Sequence, residues 1–250
     1  MRYVTPLREG GSLPAIVEAD DEGLYVLKFR GAGHGARALV AELVAGELAR
    51  AIGLRVPEIV LAELDPDLAR TEPDPEIHAL IRSSGGLNLA LDYLPGSVMF
   101  DPVSGYPDAD LASRIVWFDG YATNVDRTPR NTNLLMWHRQ LWLIDHGASL
   151  YFHHAPGWET RPDRAADPFP LIKDHVLLKA ADKLTDVDAS IAATLTPELI
   201  GHVVDAIPGD WLNEYGSEGG VGCLRPAYAR YLMQRAMPPR PFVEEAVRAR

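Results

Sequence analysis

The chain has 250 residues, 47% hydrophobic and 24% charged, which is an ordinary globular composition with length enough for one large domain or two small lobes. Its net charge of −11 comes with no basic cluster of the kind that binds a nucleic-acid backbone. No apolar run approaches the roughly eighteen residues of a membrane span, and the single Cys223 excludes an internal disulfide framework. The N-terminus lacks an apolar leader core, so a reducing cytoplasm is the expected compartment.

Residues 13–19 and 24–29 read as two strands joined by the acidic turn Asp20-Asp21-Glu22-Gly23. Before them stands Gly10-Gly11-Ser12, where the absence of side chains would let backbone N–H groups approach a phosphate, although such a pair of glycines also makes a plain turn. Lys28 closes the run Tyr25-Val26-Leu27 on a strand that should be half buried. Residues 36–52 form a strong helical segment ended by Gly53. On that helix Ala38, Leu39, Ala45, Gly46 and Ala49 share a face with Glu42, so this carboxylate needs a buried partner, for which Lys28 is the natural candidate. Glu47 has Arg50 three residues on and reads as a surface pair.

Residues 54–64 read as a further strand and residues 65–75 as an exposed loop. Residues 77–82 and 87–94 then read as another hairpin around Ser83-Ser84-Gly85-Gly86. Asp92, Tyr93 and Leu94 read as a hinge whose backbone is placed to bond an adenine edge. The boundary between an N-terminal lobe, residues 1–95, and a C-terminal lobe, residues 96–250, is expected just after it.

Residues 110–123 are expected to be helical, with Leu111, Ile115, Phe118 and Ala122 as a core-facing stripe. Next come Asp126 and Asn131, five positions apart across Arg127-Thr128-Pro129-Arg130. That is the interval between the catalytic aspartate and metal-binding asparagine of a kinase loop. Pro129 keeps the interval a loop. Two short apolar runs around residues 138–140 read as a hairpin that delivers the chain to Asp145-His146-Gly147, where a kinase carries Asp-Phe-Gly. In this reading Asn131 and Asp145 hold metal, Asp126 orients the nucleophile, and Lys28 with Glu42 places the phosphates of ATP. Ser149 reads either as a solvated loop serine or as a phosphorylation point. Beyond it, residues 171–183, 196–206, 226–236 and 241–248 are expected helices, and Trp158, Trp211, Tyr228 and Tyr231 are expected in the core. The histidines show no zinc spacing.

These motifs resemble the HipA-like kinases, bacterial toxin-type serine/threonine kinases whose fold is related to that of phosphatidylinositol kinases. The resemblance covers most of residues 10–150 and rests on Val26-Leu27-Lys28, on residues 42–57 (ELVAGELARAIGLRVP), on Asp126 to Asn131, and on Asp145. It implies a bilobal α+β kinase fold, an antiparallel sheet with one helix followed by a mainly helical lobe. It further implies Asp126 as catalytic base, Asn131 and Asp145 as ligands of Mg²⁺ or Mn²⁺, and ATP as phosphoryl donor. A protein serine or threonine is the implied acceptor. The extra N-terminal subdomain of the larger toxins is not expected, and Asp126-Arg127 with Asn131 is closer to the lipid-kinase pattern, so a lipid or small-molecule acceptor is the enzymatic alternative. A nucleotide-binding pseudokinase is the alternative of another class.

Overall fold

The computed structural model describes residues 2–7, 13–214 and 221–250; Gly10, Gly11 and Ser12 lie outside the described residues. The first part of the chain is built on a five-stranded sheet whose neighbouring strands all run antiparallel. It contains β1 (Arg2–Pro6), β2 (Ala15–Glu18), β3 (Leu24–Lys28), β4 (Ile59–Leu64) and β5 (Gly86–Asp92), in the order β1-β2-β3-β5-β4. The β2–β3 hairpin closes as its sequence directs. Asp21 accepts hydrogen bonds from the Gly23 N–H at 2.9 Å and from the Tyr25 hydroxyl at 2.7 Å.

Helix α1 (Ala36–Ala51) lies between β3 and β4 in the chain and is buried on nearly every side, from Leu39 through Gly46. Gly46 is there for contact. A Cβ on it would stand 2.4 Å from Ile59 Cδ1 of β4, so the helix tolerates a poor helix former in return for close approach to the sheet. The helix ends on Gly53, at φ 87°, with the Gly53 N–H bonded to Arg50 O at 2.9 Å and the Leu54 N–H to Ala49 O at 3.0 Å. This is the left-handed glycine stop that satisfies the last carbonyls.

Residues 77–82, expected as a strand, are instead helical: they belong to α2 (Pro75–Ser83). Pro75 stands at its start, Asp74 caps it by accepting from the Glu76 N–H at 3.0 Å, and Ile77 and Ile81 are buried one turn apart. Capping and an i, i+4 pair outweigh a short apolar run that fits either period. Ile77 and Ile81 join Ala15, Val17, Leu27, Phe29 and Leu64 in a small core, while Leu89 and Leu91 of β5 belong with α1 to the large one.

The chain then passes through β6 (Val98–Met99) and α3 (Ala109–Tyr121), which Asp108 caps through the Leu111 N–H at 2.9 Å. β7 (Leu134–Trp137) and β8 (Gln140–Leu143) form the expected hairpin and complete a second sheet, β6-β7-β8. Its two-residue turn, His138 and Arg139, has φ 47° and 63°, the primed geometry that matches strand twist. Residues 171–183 are not a helix. They form 3-10 turns at Pro170–Asp174 and Leu178–Ala180, because the chain between them is committed elsewhere: the Val176 N–H goes to Arg127 O at 3.0 Å and the Leu177 N–H to His175 Nδ1 at 3.0 Å.

The remainder is α4 (Leu184–Thr194), which the sequence reading did not foresee, α5 (Pro197–Asp205), α6 (Gly209–Asn213), α7 (Leu224–Ala236) and α8 (Pro241–Ala249). Thr196 caps α5, as its place before Pro197 suggests. Trp158, Trp211, Tyr228 and Tyr231 are all buried, and Trp211 Nε1 donates to Leu87 O of β5 at 3.0 Å. Among the described residues, no helix is long and apolar enough to cross a membrane.

Candidate active site

Lys28 ends β3 and points between two carboxylates: its Nζ lies 2.9 Å from Glu42 Oε2 on α1 and 2.5 Å from Asp145 Oδ1 beyond β8. The Glu42 side chain is fully buried, whereas that of Asp145 is 40% exposed. Burial works against the ammonium of Lys28, but the charges of Glu42 and Asp145 outweigh it and hold its pKa well above the usual lysine value. For Glu42 burial again opposes ionisation, and Lys28 followed by His146 overcomes it, so the carboxyl stays far below its usual range. His146 lies beneath, fully buried, with Nδ1 3.6 Å from Glu42 Oε1 and its ring edge-on to Phe118.

Replacing either Lys28 or Glu42 is expected to damage catalysis, while replacing both costs much less than the sum. Additive losses in the double-mutant cycle would show that the pair does not act as a unit. Melting curves belong beside the rates, since unpairing a buried glutamate costs about 3–5 kcal/mol.

The loop from Asn124 to Asn133 is held from inside. Asn124 Oδ1 accepts the Asp126 N–H at 3.1 Å, and the Thr128 N–H and Asn131 N–H bond across to Asn131 O and Thr128 O at 2.9 and 3.2 Å. This small closed loop brings the Asn131 amide to Asp126, where Nδ2 donates to Oδ2 at 2.8 Å; Asn133 Nδ2 donates to the same oxygen at 3.3 Å. The two residues read as partners five positions apart therefore do meet. Burial, with the nearby Asp145 charge, raises the pKa of Asp126 above the usual carboxylate value against the pull of the Asn133 and Asn131 amides.

Four non-glycine residues in and beside this region have left-handed backbone: Thr123 at φ 51°, Asn133 at 48°, Asp145 at 55° and Leu150 at 53°. For a β-branched threonine this is a rare conformation, and its side chain is engaged, Oγ1 accepting the Tyr151 N–H at 3.0 Å. Such strain persists only where the surroundings over-determine it, and here it clusters around Asp126 and Asp145.

The sequence reading missed the groups that hold the loop. Arg127 is turned inward and buried. Its Nε donates to Asp119 Oδ2 at 2.6 Å, and its Nη1 donates to Asn133 O and, at 3.4 Å, to Ile144 O. Asp119, on the last turn of α3, also accepts from Asn124 Nδ2 at 3.0 Å and lies 2.9 Å from His175 Nε2. Because His175 Nδ1 accepts the Leu177 N–H, Nε2 carries the proton that goes to Asp119. A signal for Asp119 was present: it stands four residues after Ile115 and three before Ala122, on the apolar stripe of its helix, the argument that singled out Glu42.

These buried groups set a pH dependence. Burial lowers the pKa of His153 well below 6.5, helped by His154, and lowers that of His175 despite Asp119. The unfolded chain then takes up protons below about pH 6.5 that the folded chain refuses, so stability is complete above that pH and falls below it. Each such group removes about 1.4 kcal/mol per pH unit. Asp119 adds to the loss nearer pH 4: burial opposes its ionisation, yet Arg127 and His175 hold its carboxyl far below the usual range. Thermal melts from pH 8 to 5 are expected to show a plateau and then a decline starting near 6.5; a melting temperature unchanged across that range would contradict this.

Of the expected hinge, the Asp92 N–H is bonded to Glu58 O at 2.9 Å and the Tyr93 N–H to Leu24 O at 3.0 Å, while Leu94 O accepts the Ser97 N–H at 3.2 Å. Those groups are engaged within the chain. Ser149 is fully buried, which excludes the solvated loop serine and gives a modifying enzyme no access in this conformation. Among the described residues no trio of His, Cys, Asp and Glu is arranged to hold a metal ion. The carboxylate of Asp145 and the amide of Asn131 would offer hard oxygen donors of the kind that suits Mg²⁺, an ion bound by one or two protein groups and completed by phosphates and water.

A family model described as HipA-like kinase matches residues 2–220. The chain belongs to the HipA-like kinase family. It is thus a phosphotransferase, and the family brings ATP and a divalent metal with it. No curated protein matches the chain. Among solved structures, the crystal structure of a Helicobacter pylori proinflammatory kinase, CtkA, matches with a TM-score of 0.57 at 13% identity, over 99% of this chain and 97% of that one. At that identity the likeness speaks for the fold, an α+β kinase architecture with its antiparallel sheet at the N-terminus and helices toward the C-terminus.

Proposed function

We propose that this HipA-like kinase transfers the γ-phosphoryl group of Mg-ATP to a serine or threonine hydroxyl of a protein, in the cytoplasm, with Asp126 as the base. The observation that carries this reading is the convergence on one place of Lys28, Glu42 and Asp145, joined by ion pairs, with an Asp126–Asn131 pair near enough for the Asp145 charge to act on Asp126. Lys28 is a cation held ready for phosphate, at present neutralised by the two carboxylates. Asn131 and Asp145 are the residues that would hold Mg²⁺, which neutralises charge on the β- and γ-phosphates.

Asp126 orients the acceptor hydroxyl and takes its proton as the new oxygen–phosphorus bond forms and the bond to ADP breaks. A carboxylate whose pKa is raised accepts that proton more readily. The lobes divide after residue 95, and the adenine is bonded by backbone groups of Asp92 to Leu94 other than the three already engaged.

Incubation of the protein and a cell lysate with γ-labelled ATP and Mg²⁺ tests the acceptor. Label is expected in phosphoserine or phosphothreonine of protein, and label confined to lipid or small molecules would overturn the protein-acceptor reading.

A further inference from the structure

We propose that Arg127 is the positioning residue that sets Asp145 against the catalytic loop, with Asp119 and His175 fixing its direction. This rests on the roles proposed above for Asn131 and Asp145. These two groups come from separate segments, and a metal site assembled from two segments is only as good as the tie between them.

Arg127 is at that tie. One nitrogen, Nη1, donates both to Asn133 O, two residues after Asn131, and at 3.4 Å to Ile144 O, the residue before Asp145. Asn133 O also accepts the Ile144 N–H at 3.1 Å, so the two segments share one carbonyl and one guanidinium. Asn133 and Asp145 both have left-handed backbone, at φ 48° and 55°. Asn and Asp tolerate that geometry better than other side chains, and the shared carbonyl and guanidinium hold the backbone beside both residues in place.

The guanidinium is aimed from behind by the fully buried Asp119, 2.6 Å from Nε, which His175 and Asn124 hold in turn. Its Nη2, buried as well, has no hydrogen-bond partner among the described residues. A buried ion pair with one nitrogen left over is a weak device for stability, and apolar side chains of similar volume often serve that purpose as well. What a fork adds is direction: three acceptors on three segments reached by one rigid plane.

The test is Arg127→Lys, which keeps the charge but has a single nitrogen that cannot serve Asp119 and both carbonyls together. ADP release is measured against Mn²⁺ concentration, beside a melting curve that confirms the folded state. The rate at saturating metal is expected to fall about tenfold or more, and the Mn²⁺ midpoint to rise by about tenfold, the usual cost of losing an outer-shell support. A merely structural role would lower the active fraction and leave the midpoint where it is. An unmoved midpoint, or a rate within about threefold of the parent, would overturn the proposal.

Should Arg127→Lys fail to fold, Asp119→Asn keeps the shape and one acceptor oxygen while removing the charge that aims the guanidinium, and is judged by the same two readouts. A parent that releases no ADP would count against the proposed function. The Mn²⁺ dependence of nucleotide binding, followed by calorimetry in parent and variant, then decides the present inference by itself: a shifted midpoint supports it and an unchanged one overturns it.

Discussion

Asp126→Asn is expected to lower phosphoryl transfer about a hundredfold or more while leaving Mg-ATP affinity close to that of the parent protein. Asparagine keeps the shape and removes the proton-accepting charge. The loop itself does not depend on that charge, because the Asp126 N–H is held by Asn124 and the turn is closed between Thr128 and Asn131. Phosphoryl transfer is mostly positioning and charge stabilisation, so the residue that handles the acceptor can be disabled without disturbing the nucleotide. Transfer rates and nucleotide affinities measured on parent and variant separate the outcomes. Survival of activity would make Asp126 a turn-former whose side chain only receives the Asn131 and Asn133 amides, a task asparagine shares.

Asp145→Ala is expected to abolish the gain in ATP affinity that Mg²⁺ gives. The fold should stand, since the Asp145 side chain is 40% exposed and Lys28 keeps Glu42 at 2.9 Å. Without metal, the variant is expected to bind ATP at least as well as the parent: one carboxylate that repels the triphosphate is gone, and Lys28 has lost one of its two competitors. Calorimetry with ATP, with and without Mg²⁺, reads both effects. A variant that binds Mg-ATP as tightly as the parent would remove Asp145 from the metal site.

Much of the site was legible because its residues break local rules. Glu42 is a carboxylate on an apolar helix face, and such a charge asks for a partner whatever the fold; the structure supplies Lys28, and Asp145 with it. The interval from Asp126 to Asn131 was legible because Pro129 makes the turn and the amide returns to the carboxylate. Arg127 was not, since a loop arginine beside an aspartate ordinarily faces water. Only the folded chain shows it turned inward to a residue on the preceding helix, and His175 reaching the same carboxylate across 56 positions.

The same long reach explains the missing helix at residues 171–183. Its apolar residues fit a helix, but the Leu177 N–H goes to the His175 ring, that ring goes to Asp119 of α3, and the Val176 N–H goes to Arg127 O in the loop that carries Asp126. Tertiary demand there overrides local preference. The error at residues 77–82 is of another kind. A short apolar run fits either period, and in the sequence the Asp74-Pro75 start that decides for helix looks like the end of the preceding loop.

The most direct measurement is ADP release by the purified protein from ATP, in the presence of cell lysate depleted of its own kinases, with Mg²⁺ and again with the metal chelated. The account expects ADP and labelled protein only when Mg²⁺ is present, and both to form about a hundredfold or more slowly with Asp126→Asn. A parent protein that binds ATP yet forms no ADP and labels nothing, with Mg²⁺ or without, would contradict it.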